Sequence, residues 1–361
     1  MINAVKGHPE VDMFGYELPV QPTTLPRPAS RPRRRWPLLL ALLLVVCLAA
    51  GGGVYAYIQS MLNQVKRVEV DRAALSCVDM DGYVNILLLG IDARDMESTE
   101  GSRTDCMMIL SIKEETGEVY LTSIYRDSFL KMGDLGLFDK VNQAFAYGGP
   151  ELAIQSVNEA LDLNIDKYVL FNFKAVADVV DELEGLTINV EDYEIEELNK
   201  YTEETAETIG RDSYHLVTAH GEQKLDGCQV VSYGRIRYGV GDDIKRTERM
   251  RTVMSLLLDE ARSMGLGQLN ELLNTVLPQI QTNLSNSDMM ALAGDASEYT
   301  LVGSSSFPYQ IIEGHVDGGS YVFALDLEAD VKALHETVFG QKDYQPTPTC
   351  VEISNIMKGY S

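Results

Sequence analysis

Two clusters of charged residues in this 361-residue chain could do chemistry. The first lies in NILLLGIDARD, Asn85 to Asp95, and GSRTD, Gly101 to Asp105. Asp92, Arg94, Arg103 and Asp105 share a polar loop between two apolar runs, Val84 to Leu89 and Met107 to Ile112. If those runs pair as antiparallel strands, the ends of the loop meet at one edge of the sheet. Asp92 then stands near Asp105. Two carboxylates that close call for a cation or a shared proton. Two arginines beside them call for a further anion, most naturally a phosphate. The pattern reads as half of a metal- and phosphate-handling site. A solvated charged loop is the plain alternative.

The second cluster opens a helix. From Arg246 to Arg262, Met250, Val253, Met254, Leu257, Leu258 and Ala261 form one apolar stripe at helical spacing. Lys245, Arg246, Arg249 and Arg251 fall in its first turns, and Arg235 and Arg237 stand upstream, before YGVGDD. Cations at a helix start oppose the macrodipole. A bound phosphate would resolve that conflict. A solvated basic face is the alternative.

The elements that must position these groups follow an alternating pattern. Strands are expected at Val84 to Leu89, Met107 to Ile112, Glu118 to Ile124, Tyr168 to Phe173 and Leu186 to Val190. Helices are expected at Pro150 to Leu161 and Lys174 to Leu183, the second stopped by Gly185. This alternation predicts an α/β domain with helices on a central mixed sheet. Glu191 to Gly221 is acidic and irregular and reads as a solvated excursion. Gly267 to Gln281 and Asn286 to Tyr299 read as helices, Phe307 to Glu313 and Tyr321 to Leu325 as strands, and Leu327 to Val338 as a last helix. The tail from Gln341 reads as a loose end.

The formal net charge is -24. Residues 1–36 carry +3 of it, so the remainder is -27. So acidic a remainder argues against nucleic-acid binding, which needs a basic surface. Pro37 to Ile58 are 22 residues without a charge, enough to cross a hydrocarbon core of about 30 Å. Arginines at 31 and 33 to 35 precede them and predict a cytoplasmic N-terminus, with everything after about residue 60 outside. A cleaved signal is the rival reading, but the polar head and apolar run are both long for one. The expected organisation is a cytoplasmic tail (1–36), a transmembrane helix (37–58), a juxtamembrane connector (59–83), an extracellular domain (84–340) and a C-terminal tail (341–361). Cys77, Cys106, Cys228 and Cys350 would lie outside, at spacings that match no zinc pattern. Cys77 and Cys350 are the candidate disulfide pair. The histidines (His8, His215, His220, His315, His335) are scattered, and no HExxH, GxSxG, CxxC or GxxxxGK[ST] occurs.

Read together, NILLLGIDARD, GSRTD, SIYRD (Ser123 to Asp127), DKVNQAFAYGGPE (Asp139 to Glu151), DKYVLFNF, EGLTINV and LDGCQVVSYGRIRYGVGDDIKRTERMR (Leu225 to Arg251) resemble the LytR-CpsA-Psr family of cell-envelope proteins. The resemblance covers roughly Val84 to Leu258, in the family's order. It implies an α/β/α sandwich with a central mixed sheet, preceded by one transmembrane helix, and a hydrophobic tunnel for a polyprenyl chain. It implies transfer of a glycopolymer phosphate, such as teichoic acid or capsule, from a polyprenyl-pyrophosphate carrier to peptidoglycan, with Mg2+. On this resemblance Asp92 and Asp105 bind the metal. Arg94, Arg103 and Arg126 lie near the phosphates. Arg237 and Arg246 hold the pyrophosphate, with Arg235 beside them; Arg249 joins this group by its place at the start of the helix. Asp243 matches an aspartate of the family. The acceptor is a sugar hydroxyl, so a base is wanted. Asp92 and Asp243 are the candidates, and Arg126 completes the expected catalytic set. Lys140 and Asn142 either line the site or serve as surface and cap residues. Met250 stands where the family often has Gln, and Tyr125 where it often has Pro. A non-catalytic envelope sensor and a lipid-pyrophosphate hydrolase are the competing functions.

Overall fold

The computed structural model describes residues 52–93, 96, 99–237, 242–261 and 264–360. Residues 37–51 of the expected transmembrane span fall outside these residues. Among the described residues no helix is long and apolar enough to cross a membrane. The chain divides into two units, Met1–Val54 and Tyr55–Ser361, and the second carries the sheet and the helices that cover it.

A helix over residues 52–62 (α1) leads to a short strand, Lys66–Arg67 (β1). Then come β2 (Tyr83–Ile91), β3 (Thr104–Lys113) and β4 (Glu118–Ile124), three strands in antiparallel succession. A small hairpin, β5 (Phe129–Lys131) and β6 (Phe138–Lys140), precedes α2 (Gln143–Leu161). α2 is kinked at Gly148 and Gly149, and its long limb starts at Pro150, where proline's fixed φ suits a first helical turn. β7 (Lys167–Asn172) returns beside β2 in parallel. α3 (Phe173–Glu182) follows, capped by Asn172 and ended before Gly185, whose φ of +102° favours glycine.

The next segment corrects the sequence reading. Glu191 to Gly221 is largely helical: α4 spans Ile195–Ile209 between β8 (Leu186–Val190) and β9 (Gly221–Leu225). Its acidic face is solvated, while Leu198, Thr202, Ala206 and Ile209 are buried at helical spacing. α5 (Gly227–Arg235) and α6 (Asp242–Ala261) then cover the sheet. α7 (Leu266–Val276) is shorter than expected, because Pro278 ends it and the chain turns into β10 (Ile280–Thr282). α8 (Asn286–Gly294), β11 (Thr300–Phe307), the hairpin β12 (Ile311–Val316) and β13 (Gly319–Ala324), and α9 (Leu327–Phe339) complete the layers. The tail is not loose. α10 (Pro348–Met357) buries Cys350, Ile353 and Met357 in the core.

The central mixed sheet runs β1-β10-β7-β2-β3-β4-β11. β2 lies in its middle, which is why ILLL is apolar without alternation: both faces are covered. Leu87, Leu89, Met107 and Ile109 pack under α2, α9 and α10. Ile86, Leu88 and Met108 pack under Met250 and Met254 of α6 and Leu292 of α8. The result is a three-layer α/β/α arrangement. Cys77, Cys106, Cys228 and Cys350 are free thiols, so the candidate Cys77–Cys350 pair is not bonded. Burial pushes the Cys106 thiol up to about 12, an inert state.

Candidate active site

β2 and β3 pair residue for residue from Tyr83 opposite Lys113 to Gly90 opposite Cys106. The register then slips, and Ile91 faces Thr104. Asp105 is the extra residue of this bulge, and a bulge re-aims a side chain at a strand end. Its carboxylate accepts from Arg126 Nη1 at 2.7 Å and lies 3.0 Å from Arg246 Nη2. Burial pushes the Asp105 carboxyl up, but Arg246 and Arg126 outweigh it and hold it below the ordinary value. Asp92, just past β2, is half-exposed and has Arg235 Nη2 at 4.0 Å. Burial raises its carboxyl, Arg235 lowers it, and Asp105 raises it further. The two aspartates therefore feel each other, as the antiparallel pairing predicts.

The turn after β4 supplies the next groups. Arg126 lies 3.1 Å from Asp243 of α6, and Asp127 lies 3.0 Å from Lys140 of β6. The backbone ties these segments together: Val141 N donates to Ser128 O at 2.8 Å, and Asn142 N to Arg126 O at 3.1 Å. A cleft of about 380 Å³ results, lined by Asp92, Arg103, Asp105, Arg126, Asp127, Lys140 and Asn142. Arg103 Nε donates to Gln143 Oε1 at 3.0 Å on its rim.

Arg246 is 3% exposed, and among the described residues its Nε and Nη1 have no hydrogen-bond partner. Burial lowers its guanidinium; Asp105 counters this, but Arg126 and Arg237 add repulsion. Arg237 is exposed just past the end of α5. Arg235 stacks on Phe173 and Tyr201, each ring centroid at 5.2 Å, and donates to Thr205 Oγ1 at 2.9 Å. Arg94 lies outside the described residues.

Two expectations about α6 change. The helix starts at Asp242, so acidic residues occupy its first turn and Arg246 lies a turn further in. The conflict with the macrodipole is therefore absent, and buried, unpaired N–H groups take its place as the sign of a missing anion. Arg249 points elsewhere. Its Nε donates to buried Glu194 Oε1 at 2.7 Å and its Nη1 to Ile236 O at 3.2 Å. It anchors α6 to the start of α4 and is not part of the cleft.

An apolar hollow adjoins Arg235 between the sheet, α5 and α6. Gly90, Cys106, Phe171, Val230, Met250 and Met254 line it. A Cβ at Gly90 would meet Cys106 Cβ at 2.8 Å and Phe171 at 3.0 Å, so glycine keeps the floor open. Met250 serves as its wall, consistent with its place on the apolar stripe.

The donor set suits Mg2+, which takes one or two carboxylates with phosphate oxygens and water. Among the described residues the one ionic partner of Asp92 is Arg235 at 4.0 Å, and each Asp105 oxygen retains a lone pair beyond its arginine bond. Among the described residues no cluster of three or more His, Cys, Asp or Glu side chains forms a fuller metal cage. Asp127 is the cleft residue that sequence reasoning did not single out. Its signal was the Arg-Asp pair of SIYRD, whose second member needs the β6 turn to bring Lys140 to it.

Fold and site together define a class: an α/β/α protein with an arginine–carboxylate cleft beside an apolar hollow, suited to an amphiphile with an anionic head. The chain belongs to the LytR_cpsA_psr family, whose model matches residues 54–337. It is 29% identical over 279 residues to the polyisoprenyl-teichoic acid–peptidoglycan teichoic acid transferase TagT of Bacillus subtilis (strain 168), covering 74% of this chain and 83% of that protein. It is also 29% identical, over 272 residues, to the corresponding transferase TagU of Enterococcus faecalis (strain ATCC 700802 / V583), covering 74% and 84%. A solved structure described as TagT bound to LI-WTA matches with a TM-score of 0.60 at 26% identity, covering 75% of this chain and 99% of that one.

Proposed function

We propose that this chain is a membrane-anchored, Mg2+-dependent phosphotransferase that moves a wall glycopolymer from a polyprenyl-pyrophosphate carrier to peptidoglycan. A single-pass anchor at Pro37 to Ile58 would hold the domain outside the cell. The names of the relatives support teichoic acid as the polymer class and peptidoglycan as the acceptor. Arg246 carries the reading: a buried guanidinium with two N–H groups open among the described residues, on the same helix as Met250, which lines the apolar hollow. A buried donor left unmet costs about 1–3 kcal/mol, more when charged. A diphosphate meets it.

Phosphoryl transfer needs alignment and charge neutralisation more than covalent help. Arg246, Arg126 and Arg237 would take phosphate oxygens, with Arg235 at the mouth of the hollow and Arg103 on the far rim. Asp243 orients Arg126. Asp92 and Asp105 would hold Mg2+, which when bound neutralises charge on the phosphate oxygens. The base can be narrowed. Burial raises the Asp243 carboxyl, but Arg126, Arg237 and Arg246 together outweigh it and hold the group below the ordinary value, which makes Asp243 a poor proton acceptor. Asp92 would be taken up by the metal. Asp127 lines the cleft, and burial raises its carboxyl against Arg126 and Lys140. It takes the proton of the attacking hydroxyl.

The test uses the purified full chain, a short-chain prenyl-pyrophosphate disaccharide and soluble uncross-linked peptidoglycan. Linked product with release of prenyl phosphate is expected. Free sugar phosphate without linked product would make the chain a hydrolase, and no turnover with intact donor binding would favour a sensor.

A further inference from the structure

Two hollows lie near the charged cleft, on opposite faces of the central sheet. The apolar one lies on the α5–α6 face. The other, of about 820 Å³, lies on the α2 face. Phe145 on its wall belongs to the core that holds Leu87 and Leu89, and Gln281 on its floor donates to Tyr168 of that core. This second hollow meets the charged cleft at Gly101, which borders both. Tyr147 stands beside that junction, 49% exposed. Its hydroxyl donates to Asp139 Oδ2 at 2.6 Å, and Tyr321 donates to Asp139 Oδ1 at 3.2 Å. Asp139 precedes Lys140 of the cleft, so the Tyr147 ring is fixed relative to the reacting groups.

In-line displacement at phosphorus sets the attacking and leaving oxygens on opposite sides. A prenyl phosphate leaving toward the apolar hollow departs on the α5–α6 face. The nucleophile must then arrive from the α2 face, where the second hollow is open. We propose that this hollow is the acceptor subsite and binds a carbohydrate strand whose hydroxyl reaches the cleft past Gly101 and Tyr147. The inference rests on the transferase reading above. The lining suits sugar: an exposed aromatic ring offers a face to a pyranose, while Lys66, Glu100 and Gln281 offer donors and acceptors to hydroxyls. In the step itself the acceptor oxygen bonds to the distal phosphorus of the carrier as the bridging P–O bond breaks. The electron pair leaves on prenyl monophosphate, the polymer stays on the transferred phosphorus, and the hydroxyl proton goes to Asp127.

Ala146→Trp fills the hollow from α2, Tyr147→Ala removes the ring, and Tyr147→Phe keeps it. Acceptor KM is measured on the full chain with saturating prenyl-pyrophosphate disaccharide and soluble peptidoglycan strands. Ala146→Trp should raise acceptor KM about tenfold and Tyr147→Ala about fivefold, while Tyr147→Phe stays near wild type. Donor KM should stay within about twofold throughout. Unchanged acceptor KM in both Ala146→Trp and Tyr147→Ala overturns the proposal. So does a rise in donor KM instead, which would give the hollow to the donor's polymer. Wild-type protein that forms no linked product fails the transferase reading, and the subsite falls with it.

Discussion

Replacing Arg246 by methionine tests the anion site most directly, because methionine keeps the aliphatic volume and removes the charge. Among the described residues Arg246 has one ionic partner, Asp105 at 3.0 Å, and is repelled by Arg126 and Arg237. Its Nε and Nη1 are unmet among the described residues. Two ionic hydrogen bonds to a diphosphate are worth about 1.5–3 kcal/mol each. Arg126 and Arg237 can take over part of that load, so we expect a net loss of about 2–3 kcal/mol, or about 30- to 150-fold in Kd. Stability should move far less. Asp105 keeps Arg126 at 2.7 Å, and the repulsion among three arginines is relieved. A net change within about 1 kcal/mol shifts Tm by no more than about 4 °C. Calorimetric titration with a short-chain prenyl pyrophosphate and thermal melts of the apo-protein read both quantities. Arg246→Lys should recover little affinity, because a point charge lacks the guanidinium fork. Wild-type affinity together with a Tm several degrees lower would make Arg246 a structural partner of Asp105 and refute the phosphate reading.

Arg249→Met breaks a buried ion pair and should cost about 3–5 kcal/mol of stability with prenyl pyrophosphate affinity unchanged. Denaturant unfolding beside a binding titration checks this, and lost affinity in a stable variant would return Arg249 to the cleft. Asp127 must be ionised to accept a proton, so activity falls as pH drops through a pKa that burial raises above the ordinary carboxylate value, against Arg126 and Lys140 and with the repulsion of Asp243. Asp127→Asn should therefore lose that acid limb and about a hundredfold in kcat; a pH–rate profile with the limb intact would sink the assignment. The intact chain should fractionate with membranes, and external protease should remove the part after about residue 60. A mature N-terminus near Tyr57 would instead mean a cleaved signal.

Much of the site was legible because its residues cluster along the chain. The loop from Asp92 to Asp105 is short, its flanking runs are apolar, and an antiparallel pair necessarily brings its ends together. The basic segment from Arg235 to Arg251 stood out against a chain of net charge -24. Less legible were elements whose periodicity is masked by composition. Acidic residues on the outer face of α4 hid a buried stripe, and PTPT hid the cap and first turn of α10, where Thr347 accepts from Cys350 N.

What the sequence determined by itself was the framework: alternating strands and helices, a mixed sheet, two charged segments and the motif set of a family. Those properties are local, set by periodicity, turn residues and composition. Tertiary structure decided which charges face one another. Helical spacing puts Arg246 and Arg249 within one turn of each other, yet one points to Asp105 and the other to Glu194. The choice depends on partners on different elements, β3 and the segment leading into α4, which no local pattern encodes. Asp127 gained its place in the same way, through a hairpin that delivers Lys140 to it. Pairing across elements is settled only when the layers close, because burying an unpaired charge costs more than any local preference returns.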